Sequence, residues 1–421
     1  MPQQPHTSTP QPSTPQPSAT PQPPARILEA IHIPRDTSVL ELQPLFEDIL
    51  AGRRSILPLP PEINDATKAR AELLRRTQRA GTDIDSAVSL VACTSGSTGT
   101  PKGAMLTSGN IAAAIAATEE RLDGPGRWLL ATPADHIAGL MVLLRSYAAA
   151  YQPAVMDLSH GFNAEAFAQV VAQMFQTSDA PRHYVSLVPL QLAKLMRHET
   201  ACTLLTQFDA ILLGGQAADD ELLSHAATRG LRIVTTYGSS ETCGGVVYNG
   251  KPLTGVSVTT DEIGRIVLSG SMVGMGYRDD NPALQHSRFI TNDLGTWDGR
   301  RLSVSGRADD VIISGGLKFL PQPIEEVLRA HPQVATAIVV GVSDRSNHHL
   351  GQEIAAVVVP ATDTEDQKAL TQQLTEWASE RLSKFQIPRR WRFVAELPTV
   401  DNGKVNRRQA QALFNTDKDG S

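Results

Sequence analysis

Between Trp128 and Thr236, short apolar runs and longer amphipathic ones follow each other in turn. The runs Trp128–Ala131, Pro153–Met156, His183–Leu187, Asp209–Leu213 and Leu231–Thr236 have strand length. Between them Leu140–Ala150, Ala164–Phe175, Pro189–Arg197 and Asp219–Thr228 repeat with helical spacing. This alternation predicts an α/β fold whose large N-terminal domain is built of mainly parallel sheets covered by helices. Ligands of such sheets collect beyond the carboxyl ends of the strands. Two motif-like stretches follow strands there: Gly214-Gly215-Gln216-Ala217 and Tyr237-Gly238-Ser239-Ser240-Glu241-Thr242.

On either side the pattern changes. Arg26–Thr82 reads as mainly helical and polar, amphipathic over Leu40–Leu50 and broken at Pro58–Pro61, and it offers no chemistry. Ala87–Ala92 is a further apolar run of strand length, and Ile111–Glu120 is helical. After Lys251 come glycine-punctuated β segments such as Arg265–Ser269 and Arg301–Ser305, which predict a β subdomain. Beyond Arg307 a small α+β domain is predicted. It has helices at Pro323–Ala330 and Asp366–Leu382, strands at Ala335–Gly341 and Glu353–Val359, and a strand near Trp391–Val394. The expected division is a tail at 1–25, a large domain at 26–308 and a small one at 309–421, joined through Gly306–Gly315.

Composition narrows the class. The chain has 421 residues, 41% hydrophobic and 19% charged, as in a soluble globular protein. Its net charge of -6 gives no reason to expect a nucleic-acid partner. Cys93, Cys202 and Cys243 are odd in number and far apart, which argues against a disulfide framework or a zinc cluster and for a cytoplasmic protein. Residues 1–25 hold nine prolines among Gln, Ser and Thr, without the basic start and apolar core of a signal peptide, and read as disordered. No run of about 18 apolar residues predicts a membrane span. A basic cluster, Arg389, Arg390, Arg392, Arg407 and Arg408, reads as a solvated charged face, with phosphate contact as the alternative. Homo-oligomerisation is left open.

The densest candidate chemistry is Cys93-Thr94-Ser95-Gly96-Ser97-Thr98-Gly99-Thr100-Pro101-Lys102-Gly103. Its glycines let backbone N–H groups approach an oxyanion, its hydroxyls add donors, and Lys102 adds a cation, so the loop suits a polyphosphate. It is not a Walker A loop. The sixth position from Gly96 is Pro101 rather than Gly, and Lys102 is followed by Gly103 rather than Ser or Thr.

This loop resembles the signature of the adenylate-forming enzymes, the group that contains acyl-CoA synthetases, firefly luciferase and peptide-synthetase adenylation domains. Tyr237-Gly238-Ser239-Ser240-Glu241 matches that family's Tyr-Gly-x-[Ser/Thr]-Glu motif. Thr291-Asn292-Asp293-Leu294-Gly295, Gly306-Arg307-Ala308-Asp309-Asp310 and Gly403-Lys404 follow in the family's order, with Asn292 where a Gly is usual. The resemblance implies ATP and Mg²⁺, with CoA as cosubstrate. It places Thr94, Ser95, Gly96, Ser97, Thr98, Gly99 and Lys102 on the phosphates and Gly215, Gln216, Ala217, Tyr237, Gly238, Ser239 and Ser240 around the nucleotide, with the Tyr237 ring against the base. It puts Glu241 toward the metal, Asp293 and Arg307 on the ribose, Asp309 at the interdomain hinge and Lys404 as the mobile catalytic lysine. The implied loop that swings in for thioester formation is Ile313-Ser314-Gly315-Gly316-Leu317-Lys318-Phe319.

Within the family, His183–Leu192, Leu212–Ala217 and Phe385–Pro388 are most similar to the o-succinylbenzoate-CoA ligases of menaquinone biosynthesis. That likeness implies a small-molecule carboxylic acid as partner and assigns His136, Ser186 and Lys194 to it. A ligase for another aryl or short-chain acid, or a non-catalytic adenylate-binding module, are the alternatives.

Overall fold

The computed structural model describes residues 26–94, 100–285, 287–344, 351–362, 366–399 and 405–415. Among the described residues the large N-terminal part carries two sheets. In the seven-stranded one, Ala154–Val155, Arg127–Leu130, His183–Leu187, Ala210–Leu213 and Ile233–Ser239 lie side by side in parallel. Gly244–Tyr248 and Lys251–Pro252 then close its edge antiparallel. Helices Ala164–Thr177, Pro189–Met196, Glu199–Leu205 and Asp220–Thr228 cover one face, where Phe167, Val171, Leu192, Leu205 and Ala226 meet Val185 and Ile211. This is the block whose alternation is visible in the sequence, with Glu199–Leu205 as an unforeseen helix.

The eleven-stranded sheet departs from expectation. Arg26–His32, Ser55–Leu59 and Val88–Thr94 run parallel, and from Lys102–Thr107 onward the sheet is antiparallel. Arg26–Thr82 was expected to be mainly helical and polar, yet it contributes two of these strands. Pro58 lies inside one of them. The ladder toward Val88–Thr94 is registered only at Ile56↔Leu90, two residues earlier, and a proline without an N–H is tolerated beyond it. Helices Gln43–Leu50, Ser108–Arg121 and Ile137–Ala148 lie between the two sheets in a shared core around Phe46, Ile111, Leu140 and Leu144. Thr107 caps Ser108–Arg121 by a reciprocal box with Asn110, whose amide also donates to the carbonyl oxygens of Ser271 and Val273.

The small C-terminal part pairs Val334–Ser343 with Gln352–Pro360 antiparallel, and the latter with Arg390–Phe393 in parallel. Side chains alternate across it. Ala337 and Val339 face helices Pro321–Arg329 and Gln367–Ser379, whereas Ile338, Val340 and Val342 face Ala410 and Phe414 of the last segment. Leu302 belongs to the core of the large part and Ile312 to that of the small one. The basic cluster is a solvated face only in part: Arg389 and Arg408 are exposed, but Arg407 donates to both Glu325 oxygens at 2.6 and 3.1 Å, Arg390 to the Phe414 carbonyl and Arg392 to that of Leu413. The fold is mixed α/β, a large unit of sheets and helices followed by a smaller unit, as the sequence predicted.

Candidate active site

The phosphate-loop candidate begins in an apolar strand, Val88–Thr94, and returns in another. Lys102 opens the return strand Lys102–Thr107 and pairs with Thr94, so the two strands that flank the loop run antiparallel. Ser95, Gly96, Ser97, Thr98 and Gly99 lie outside the described residues. Gly103 must be glycine: a Cβ there would stand 2.1 Å from Gln78 Oε1 and 2.7 Å from Val91 Cγ1. The same Gln78 donates to the Pro101 carbonyl at 2.9 Å and so fixes the base of the hairpin.

Beside it runs the Tyr237 motif. Tyr237, Gly238 and Ser239 lie within strand Ile233–Ser239 rather than after it, and Ser240–Thr242 form a short 3₁₀ turn. Gly238 packs against backbone, since a Cβ would lie 2.0 Å from the Gly244 oxygen. The Ser240 hydroxyl reaches the Cys93 carbonyl at 3.5 Å, joining motif and hairpin. Glu241 is 5% exposed and accepts from the Tyr277 hydroxyl at 2.5 Å through Oε1. The Lys102 ammonium stands 5.5 Å from the centre of the same tyrosine ring. Burial, then the Glu241 charge, raises the Tyr277 phenol above its ordinary range, so it stays a neutral donor. Tyr277 is absent from the motif reading; its only signal was a tyrosine in a glycine-rich β segment, where a buried hydroxyl needs a partner. Cys243 is wholly buried and burial pushes its thiol up to about 12, which leaves it a packing residue.

A second chain of contacts joins residues far apart in sequence. Asp293 lies inside strand Arg288–Trp297, its N–H held by the Thr291 hydroxyl at 3.0 Å, so the missing glycine at Asn292 is not needed for a turn. Tyr237 donates its hydroxyl to Asp293 Oδ2 at 2.9 Å, and Arg307 donates to Asp293 Oδ1 at 3.1 Å. Arg307 also grips Asp309 with both Nε and Nη2, at 2.9 and 3.0 Å. Burial opposes the guanidinium charge, but the Asp309 hydrogen bonds and the Asp293, Asp309 and Asp310 charges outweigh it and raise its pKa. Burial, with Asp293 adding, likewise raises the Tyr237 phenol. With the Arg307 side chain 42% exposed, water screens its pairs with Asp293 and Asp309, and each contributes at most about 1 kcal/mol.

The remaining candidates are more dispersed. Gly215, with φ of 82°, and Gln216 and Ala217 form the turn after Ala210–Leu213. His136 precedes helix Ile137–Ala148, its Nε2 3.6 Å from Asp135 Oδ2. Ser186 is half-buried in strand His183–Leu187, and Lys194 is exposed on helix Pro189–Met196. Gly315 and Gly316, both of positive φ, make the two-residue turn between Ile312–Ser314 and Leu317–Phe319, a hairpin with Ile313 and Leu317 exposed. Lys404 lies outside the described residues; the bridge Thr399↔Val405 and the bond from Asn406 N–H to the Pro398 oxygen close the segment that carries it.

A hard cation suits Glu241, an oxygen donor with Oε1 already engaged. Among the described residues no group of three His, Cys, Asp or Glu could hold a metal. Phosphate and water are the usual further ligands of a Mg²⁺ ion bound through one carboxylate. No helix among the described residues is long and apolar enough to cross a membrane.

Comparison with known proteins agrees with this geometry. Residues 56–278 match the AMP-binding enzyme family and residues 323–404 its C-terminal domain. A Mycobacterium tuberculosis protein named "Probable 2-succinylbenzoate--CoA ligase" is 37% identical over 386 residues, 90% of this chain and 97% of its own. The 2-succinylbenzoate–CoA ligase of Bacillus licheniformis is 32% identical over 75% of this chain and 68% of its own. Among solved structures, the o-succinylbenzoate CoA synthetase of Bacillus subtilis with its acyl-adenylate intermediate superposes with a TM-score of 0.69 at 23% identity, covering 92% of this chain and 88% of its own. ATP-bound MatB of Rhodopseudomonas palustris gives 0.74 at 22%, covering 93% and 90%. With the Tyr237, Glu241, Asp293 and Arg307 positions assembled and both halves matched, the chain belongs to the AMP-binding enzyme family.

Proposed function

We propose that the chain is an ATP-dependent, AMP-forming acid–CoA ligase that converts o-succinylbenzoate to o-succinylbenzoyl-CoA, the menaquinone-pathway activity its resemblance implies. The observation that carries the nucleotide part is the bonded chain Tyr237–Asp293–Arg307, with Glu241 and Lys102 meeting at Tyr277 beside it. The names of its relatives support the acid.

In this reading a carboxylate oxygen of the acid attacks the α-phosphorus of ATP, an acyl–O–P bond forms and pyrophosphate leaves. The CoA sulfur then attacks the acyl carbon, AMP leaves, and the thiol proton passes to solvent. Two anions must meet in the first step, so cations at the phosphates lower its barrier. Lys102 and the loop residues Thr94, Ser95, Gly96, Ser97, Thr98 and Gly99 hold the outgoing phosphates, and Lys404 meets the charge growing at the α-phosphate. Glu241 would hold Mg²⁺, which would neutralise phosphate charge. Asp293 and Arg307 accept and donate to the ribose hydroxyls. Tyr237, with its hydroxyl engaged by Asp293, presents its ring to the base, flanked by Gly215, Gln216, Ala217, Gly238, Ser239 and Ser240. His136, Ser186 and Lys194 face the acid. The units divide at Ala308 and Asp309, and Asp309 is the hinge about which the small one turns before CoA reacts. The cytoplasm, where ATP and CoA are supplied, is its place.

Pyrophosphate exchange into ATP tests the reading. Purified protein exchanges label when o-succinylbenzoate is present and releases AMP when CoA is added. Exchange with another acid alone would move the substrate assignment, and nucleotide binding without exchange for any aryl or short-chain acid would leave only a binding module.

A further inference from the structure

Tyr277 lies in none of the motifs read from the sequence, yet it touches two groups that do. Its strand, Gly276–Tyr277, pairs with the strand that starts at Lys102, in the register Gly276↔Met105 and Tyr277↔Ala104. Three backbone bonds clamp the segment: Met275 N–H to the Met105 oxygen at 3.0 Å, Arg278 N–H to the Gly103 oxygen at 2.9 Å, and Gly274 N–H to the Glu241 oxygen at 2.8 Å. The Arg278 side chain adds a lock on the far side, donating to the Thr82 hydroxyl and the Asp83 oxygen at 3.0 Å each. The ring is 4% exposed and has no freedom to turn away.

From this clamp the hydroxyl reaches Glu241 Oε1 at 2.5 Å and the ring face lies 5.5 Å below the Lys102 ammonium. A carboxylate with one oxygen held by a neutral donor keeps the second for a cation. An ammonium over an aromatic face is attracted to it and keeps its N–H groups for anions. Resting on the ligase reading, we propose that Tyr277 is the positioning residue of the metal and phosphate end: its hydroxyl fixes Glu241 for one-oxygen metal binding, and its ring fixes Lys102.

The test separates hydroxyl from ring. Mn²⁺ affinity is read by electron paramagnetic resonance in the full chain with a non-hydrolysable ATP analogue, and analogue affinity is read without metal. Tyr277→Phe is expected to weaken Mn²⁺ about ten-fold, the worth of one charge-assisted hydrogen bond, and to leave metal-free analogue binding within two-fold. Tyr277→Leu is expected to weaken both. In a Glu241→Gln background the Phe substitution should add nothing further, because its effect runs through that carboxylate. Wild-type Mn²⁺ affinity in Tyr277→Phe, or losses that add in the double variant, would overturn the proposal. Infrared difference spectra of the unmodified protein with Mg²⁺ keep it testable even if Tyr277→Phe does not fold. A Glu241 carboxylate band of one-oxygen coordination, identified by its loss in Glu241→Gln, supports it; a two-oxygen band overturns it. A wild-type chain that binds the analogue with no metal dependence would fail the ligase reading itself.

Discussion

Tyr237, Asp293, Arg307 and Asp309 form one bonded chain, and Lys102, Tyr277 and Glu241 a second beside it. The three candidates for the acid stand on separate elements instead: His136 before a helix, Ser186 in a strand and Lys194 exposed on the next helix. The nucleotide is a fixed ligand with fixed charges, so its end of the site gains from donors that are oriented before it arrives. The acid end has to differ between relatives that take different acids, so on the proposed reading its polar groups serve the acid rather than one another. The prediction from this contrast is that damage at the first end falls on ATP and spares the acid's KM, and the reverse at the second.

The largest effect should come from Lys404→Ala. It removes a cation from the adenylation transition state, which typically costs on the order of 10² to 10³ in rate. Thioester formation from supplied acyl-adenylate, with no charge growing at the α-phosphate, should be nearly untouched. Rapid-quench measurement of the two half-reactions separates them; equal losses would remove Lys404 from the chemistry. Next, Arg307→Ala strips the partner from Asp293 and from Asp309 together and should lower kcat/KM for ATP about 10- to 100-fold. The KM for the acid should change less than two-fold, and a parallel rise in both would break the contrast between the two ends. A proline at Asp309 would confound the hinge test, since the Asp309 side chain also holds Arg307. Asp309→Asn, which keeps the backbone, should slow CoA-dependent turnover more than pyrophosphate release.

The same contrast explains what could be read from the chain. Spaced glycines, a Tyr-Gly turn and a Gly-Arg pair in fixed order mark the segments that carry Tyr237, Asp293 and Arg307, so it was legible without coordinates that these three come together. The helix-strand alternation from Trp128 to Thr236 was legible because each element buries one face. Strand Arg26–His32 was not, since a half-buried RILEAIH with two charges reads as polar and its burial depends on Ser55–Leu59 beside it. Strand Lys102–Thr107 was missed because its first two residues close the motif assigned to a loop. Tyr277 and the Arg407–Glu325 pair were invisible for another reason: both are long-range contacts, and neither partner carries a local pattern that names the other.

A smaller effect belongs to Lys194. Exposed on its helix, it can meet the second carboxylate of o-succinylbenzoate only when that acid is bound, and a rim charge of this kind is screened by water. Lys194→Ala should raise the KM for o-succinylbenzoate by up to about five-fold and leave that for ATP unchanged, measured by pyrophosphate release. An unchanged acid KM would return Lys194 to the role of a solvated lysine and move the search to His136 and Ser186.

The smallest effect, and the one that links the two ends, concerns Asp219. It sits just past the Gly215-Gln216-Ala217 turn of the large unit, and its carboxylate contacts the Arg329 guanidinium on helix Pro321–Arg329 of the small one. Asp219 is 46% exposed at its side chain and Arg329 22%, so water and salt screen the pair and its worth is at most about 1 kcal/mol. That is too little to change the melting temperature of a chain this size by more than about 2–4 °C. If the small unit changes orientation between the two half-reactions, however, the pair belongs to only one of the orientations, and 1 kcal/mol shifts such a balance about five-fold. Asp219→Ala should therefore alter the ratio of pyrophosphate release to CoA-dependent turnover by two- to five-fold at low salt, with both KM values held. Raising the ionic strength should bring the wild-type ratio toward that of the variant. A ratio that is the same in both proteins at every salt concentration would show that the contact does not bias the orientation of the small unit.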